Sequence, residues 1–109
     1  MSGGKDTVLK EISNKKHSKK SVLFLRQAGA TIGDSYQLSI IDYKKAFDTT
    51  AVGNTFTFDD DHGKTKLNPE CIDIKWLSND TIELKYDRLL RTFIKEKSVA
   101  GVTVVYTTK

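Results

Sequence analysis

"CIDIKWLSNDTIELKYD", Cys71 to Asp87, decides the fold class. Ile72, Ile74 and Trp76 alternate with Asp73 and Lys75. After Ser78, Asn79 and Asp80 the alternation resumes, with Ile82, Leu84 and Tyr86 against Glu83 and Lys85. Apolar residues two apart share one face of a strand, and a short polar break between two such runs is a hairpin signal. The segment therefore predicts a β-hairpin with one apolar and one charged face. Asp73 and Lys75 opposed to Glu83 and Lys85 would form cross-strand ion pairs on a solvated surface, at a few tenths of a kcal/mol each.

Downstream, "LLRTFIKEKSV" (Leu89 to Val99) leans to strand through Thr92, Phe93 and Ile94. "VTVVYTT" (Val102 to Thr108) is a β-branched strand led in by Gly101. Upstream, "DDDHGKTKLNPE" (Asp59 to Glu70) is a polar loop that contains the only proline. "NTFTFDD" puts Phe56 and Phe58 on one face, a half-buried strand. "KKAFDTTAVGN" (Lys44 to Asn54) suits a short helix or an irregular loop. "SYQLSIIDY" (Ser35 to Tyr43) is a strand with Tyr36, Leu38 and Ile40 on one face. In "SVLFLRQ" (Ser21 to Gln27) Val22 and Phe24 oppose Leu23 and Leu25. Apolar side chains on both faces mark an interior strand. "TVLKEIS" (Thr7 to Ser13) is a first strand, followed by the lysine turn "NKKHSKK". Residues 1–6 read as a flexible start, an expression remnant or a tether stub, and residues 7–109 as one domain. The result is an all-β fold of six or seven strands and at most one short helix: a small antiparallel β-sandwich or partly open barrel.

The net charge of +4 has an uneven origin. Residues 1–20 hold six lysines against Asp6 and Glu11, while residues 21–109 hold twelve basic and twelve acidic groups. A basic isoelectric point contributed by one end is a weak nucleic-acid signal. "KKHSKK" would touch phosphates, but the run has none of the interleaved aromatics of a single-strand platform. Cys71 is the only cysteine, so no internal disulfide forms, and with His17 and His62 far apart there is no zinc set. Cys71 reads as an apolar filler. No apolar run reaches the ~18 residues that span a membrane.

Two loops carry the candidate chemistry. "RQAGATIGDS", Arg26 to Ser35, has Gly29 and Gly33 with three residues between them and leads into a strand. A phosphate-binding loop needs four residues there, then Lys-Ser/Thr, at a strand-to-helix junction, so the stretch reads as a long or bulged hairpin connection. In the second loop Asp59, Asp61 and Glu70 match positions one, three and twelve of an EF-hand, but Lys64 occupies the glycine position and the flanks are strands. It is a solvated turn. No Ser/His/Asp order stands out, so no enzyme, cofactor or metal is expected. Arg26, Thr31, Asp34 and Ser35 from the first loop and Asp59, Asp61 and His62 from the second are the candidate binding residues for another protein.

The strand ending in "RQAGAT", then "YQLSII", "GNTFTFDD", "IDIKWLSNDTIELKYD" and "GVTVVY" resemble a family of small bacterial proteins of unknown function. The resemblance covers most of residues 8–106, and Gly-Ala-Thr and the Trp-Leu hairpin carry most of it. Many members have a lipoprotein signal or membrane anchor, so it implies extracytoplasmic display, with Gly3–Gly4 marking where a lipidated Cys was trimmed. A lysine-rich start would lie near an anionic bilayer. The alternative is a cytoplasmic accessory protein of a phage or mobile element that inhibits or neutralises another protein. The hairpin also looks like part of a β-propeller blade, but one blade cannot close a propeller.

Overall fold

The computed structural model describes residues 5–27, 34–47, 52–61 and 67–109. Its strands are β1 (Lys5–Ser13), β2 (Lys19–Gln27), β3 (Asp34–Asp42), β4 (Phe56–Asp59), β5 (Ile72–Ser78), β6 (Thr81–Tyr86), β7 (Arg91–Lys95), β8 (Ser98–Val99) and β9 (Val102–Thr108). The hairpin forms as its alternation requires. β5 pairs antiparallel with β6, with Asp73 opposite Lys85 and Lys75 opposite Glu83, while Ile72, Ile74 and Trp76 face Tyr86, Leu84 and Ile82.

The strands make two open sheets, ordered β1-β2-β3-β4-β7 and β5-β6-β9-β8. Their facing sides share one core. Leu23, Leu38 and Phe56 line up by register across β2, β3 and β4, and all are fully buried against Ile72, Ile82 and Leu84 of the second sheet. The Phe56 ring lies 4.9 Å from Phe58, 5.0 Å from Tyr86 and 5.2 Å from Tyr106, so β4 ties the two sheets together. Cys71 is in this core as a buried free thiol, and burial pushes its pKa up and keeps it protonated.

The expectation for β2 holds on both faces: Val22, Leu23 and Phe24 are all fully buried. Phe47, Gly53 and Asn54, between β3 and β4, cover the middle of the outer face of the first sheet. Phe47 stacks at 4.8 Å on Phe24. A methyl group added at Gly53 would meet the Cβ of Gln37 and the backbone of Leu38 at 3.0 Å, so only glycine lets the chain pass this close to β3. Beyond it the Asn54 side chain acts as one more rung. Its Oδ1 accepts from Ile40 N at 2.9 Å and its Nδ2 donates to the Ile40 carbonyl at 3.0 Å.

Some expectations change. Nine strands form among the described residues, not six or seven: with each half of the hairpin counted the strand-like runs already number eight, and the 89–99 run adds one by splitting at Glu96–Lys97 into β7 and the two-residue β8. β1 begins at Lys5, opposite Gln27. One pair, β6 with β9, is parallel, because the chain visits the first sheet as β7 before returning through β8. In "KKAFDTTAVGN", residues 44–47 and 52–54 contain no helix, and residues 48–51 lie outside the described residues. The one helical element described is a 3-10 turn, Pro69–Cys71, started by Asn68, whose side chain accepts from Glu70 N at 2.9 Å.

Side-chain bonds join the sheets along both flanks without closing a barrel. On one flank the Trp76 indole donates to the Ile12 carbonyl at 2.9 Å, and Lys10 Nζ donates to the Pro69 carbonyl at 3.1 Å. Asn14, 1% exposed, accepts from Ser18 N and Lys19 N and donates to Ser18 Oγ and the Asn79 carbonyl, fastening the β1–β2 turn to the β5–β6 turn. On the other flank the Tyr106 hydroxyl of β9 donates to the Thr55 carbonyl at 3.2 Å and the Glu96 carbonyl at 2.5 Å. There Tyr106 is pushed well above the ordinary tyrosine range, first by burial and then by Glu96 and Tyr86.

Candidate functional site

The strand register brings the two candidate loops to the same end of the first sheet. Arg26 stands opposite Ser35, and Gln27 opposite Asp34. The pairing of Tyr36 with Phe58 sets Ser35 beside Asp59 at the next position. Asp59 in turn pairs with Arg91. Arg26, Ser35, Asp59 and Arg91 thus form a row across β2, β3, β4 and β7. Strand alternation turns this row outward, away from Leu25, Tyr36 and Phe58 on the core side.

The row is held in place. Arg91 grips Asp59 in a two-pronged pair, Nε to Oδ1 at 3.1 Å and Nη2 to Oδ2 at 2.6 Å. Two parallel charge-assisted bonds fix both planes at once. The hydrogen bond to Asp59 is the largest cause of the further rise in the Arg91 pKa. Asp61 closes a tight turn: its N–H donates to Asp59 Oδ1 at 2.9 Å, its φ is 51°, and its carboxylate lies 4.0 Å from Arg91 Nε. Each guanidinium also lies over a ring, Arg91 at 5.1 Å from the centre of Phe93 and Arg26 at 5.4 Å from that of Phe24. Ser35 Oγ accepts from Gln37 Nε2 at 3.1 Å, and Gln37 Oε1 accepts from Gly53 N at 2.7 Å. This chain of bonds ties the row to the covering segment. Phe93 is 58% exposed, so the end offers an apolar ring beside its charges.

Of the candidate residues, Arg26, Asp34, Ser35, Asp59 and Asp61 come together here. Thr31 and His62 lie outside the described residues. Arg91 and Phe93 complete the end and were not among the candidates. Their only sequence signal was an arginine opening a strand-like run, and the partner of that strand is set by the register of β4 with β7. With both Asp59 oxygens engaged by Arg91, the loop's carboxylates are arranged as an ion-pair network. Among the described residues no group of three or more His, Cys, Asp or Glu is placed to hold a metal ion.

The lysine turn is at the other end. Lys19 pairs with Asp42, while Gln27 pairs with Asp34, so the turn and the charged row are separated by the nine-residue length that β2 and β3 share, about 27 Å. Lys15 and Lys16 lie in the β1–β2 turn, and Lys19 and Lys20 open β2.

No protein-family model, curated protein or solved structure matches the chain.

Proposed function

We propose that the chain is a non-enzymatic binding module that captures another protein at the end of the first sheet bearing Arg26, Asp34, Ser35, Asp59 and Arg91. The row of paired charges on four hydrogen-bonded strands carries this reading. A surface already fixed before binding loses little side-chain entropy when a partner arrives, and arginine beside an exposed aromatic ring is the composition of interface hot spots. The test is capture of interacting proteins from the source cells by the wild-type chain, by Asp34→Ala combined with Arg26→Ala, and by Lys44→Gln at the opposite end. The reading requires the same protein to be captured by the wild type and Lys44→Gln and lost with the double variant, at unchanged melting temperature. Equal capture by all three chains would sink it.

A second reading concerns where the module works. The resemblance implies a lipid anchor just ahead of Gly3. β1 starts at Lys5 opposite Gln27, at the same end as the charged row. The three extended steps from that anchor to Lys5 reach ~10 Å, so an anchor at that point would hold the row against the bilayer. This geometry favours the alternative, an accessory protein of a phage or mobile element that inhibits another protein in the cytoplasm. The intact mass of the native protein from separated membrane and soluble fractions decides between the two. Lipid mass on an N-terminal Cys supports the anchor, and an unlipidated soluble chain supports the free module.

A further inference from the structure

We infer a second binding site, for single-stranded nucleic acid, on the tip formed by the β1–β2 turn and the residues that follow β3. In sequence the lysine run has no aromatic neighbour; the fold supplies one. Tyr43 N donates to the Ser18 carbonyl at 3.0 Å, which fixes the exit of β3 against the lysine turn. The rings of His17 and Tyr43 then meet edge to face at 5.1 Å. Tyr43 remains 40% exposed. Lys15 and Lys16 precede His17, Lys44 and Lys45 follow Tyr43, and all four are exposed.

The electrostatics of the tip favour an anion. Lys19 is answered by Asp42 and Lys20 by Glu11. Asp80, in the adjoining β5–β6 turn, bonds to Ser78 and Thr81. Among the described residues no salt bridge engages Lys15, Lys16 or Lys44. Six lysines therefore face three carboxylates across Lys15–Lys20, Lys44–Lys45, Glu11, Asp42 and Asp80. The scaffold beneath is rigid: Asn14 holds the turn from within, Lys16 N donates to Asn79 Oδ1 at 2.8 Å, and His17 sits at a φ of 59°.

Lysines at fixed positions contact phosphates by counterion release, and an exposed aromatic face stacks a base of any sequence. A phosphodiester strand presents both groups together. A bilayer headgroup layer presents only the charge, and an insertion tip would need aliphatic side chains, which residues 15–20 and 42–45 do not contain. A duplex hides its bases from Tyr43. The occupant that uses both the charge and the ring is a single strand.

The experiment is fluorescence anisotropy of a labelled oligothymidylate of about a dozen nucleotides, titrated with the full chain between about 50 and 200 mM salt. Four lysine–phosphate contacts give a log–log salt slope of about −2.8, a roughly fifty-fold loss of affinity over that range. Lys15→Gln with Lys16→Gln should halve the slope, leaving about a sevenfold loss. Tyr43→Leu should leave the slope unchanged and weaken binding about fivefold or more at fixed salt. Thr103→Ala, an exposed position on β9 outside both sites, should leave oligonucleotide binding unchanged. These are exposed side chains, so all variants should keep the wild-type melting temperature. The inference is overturned by an absence of binding at the lowest salt. Tighter binding to anionic phospholipid vesicles, or to a duplex of the same length, overturns it in favour of a bilayer or a duplex. Indifference to Tyr43→Leu also overturns it, since the tip would then be a charge patch without a base platform.

Discussion

At one end of the β2–β3 ladder Arg91 directs two donors to Asp59, and Asp61 folds in beside them. At the other end Lys15, Lys16 and Lys44 stand exposed around Tyr43 with no salt bridge among the described residues. The same strands thus carry two kinds of charged surface. Paired charges cancel at a distance and leave a shape, defined by two planar groups locked together. Unpaired like charges define little shape but project a field that draws in an opposite charge. The first end discriminates by fit and should be nearly indifferent to salt; the second attracts by potential and should be governed by it. Both depend on the rigidity of the strands between them.

The strongest way to break the contrast is to remove that rigidity. Phe56→Ala deletes a fully buried ring that contacts three other aromatic rings, and should cost about 3–5 kcal/mol in urea denaturation. Both ends should then lose hydrogen-exchange protection together. Asn14→Ala is narrower. It strips the β1–β2 turn of its internal acceptor and its bond to Asn79, for about 1–3 kcal/mol, and should open the Ser18 and Lys19 amides while leaving those near Asp59 protected. Asp59→Asn acts at the paired end alone. Partner capture should be lost and oligonucleotide binding unchanged, with a melting-temperature change smaller than that of Asn14→Ala.

The smallest effect is at acid pH. A hydrogen bond from Lys19 holds the Asp42 carboxyl below its ordinary value of 3.8. The charged form is therefore favoured in the folded chain. That stabilisation is present above 3.8 and fades as pH falls through the lower folded value. Asp42→Asn should flatten the acid limb of the melting-temperature profile slightly, with no change near neutrality.

Much of the fold was legible because alternation reports which face a residue occupies. Ile72, Ile74, Trp76, Ile82, Leu84 and Tyr86 declared both the hairpin and its core side, and the opposed charges at Asp73, Lys75, Glu83 and Lys85 declared the solvent side. Alternation does not report which strand lies next door. The pairings of β4 with β7 and β6 with β9 join distant segments, and no local pattern encodes them. The candidate site failed at the same point. Asp59 and Asp61 were visible as loop carboxylates, but Arg91 lies 32 residues from Asp59. Tyr43 looked like the last residue of a strand until Ser18 bonded to its backbone. Residues that share an element were found together, and residues that share only a place were not.

The parallel pairing of β6 with β9 has a consequence in time. Every other neighbour in the second sheet is joined by a short turn, so β5 with β6 and β8 with β9 close as soon as they are made. β6 has no such neighbour on its other edge. During synthesis Ile82 and Leu84 have that edge open until Thr103 to Thr108 emerge, after β7 has been laid down in the first sheet. Such non-local closure is slow, and an open apolar strand edge is where chains join the wrong partner. The edge of β6 is therefore the part of the second sheet most open to mispairing until β9 has paired with it.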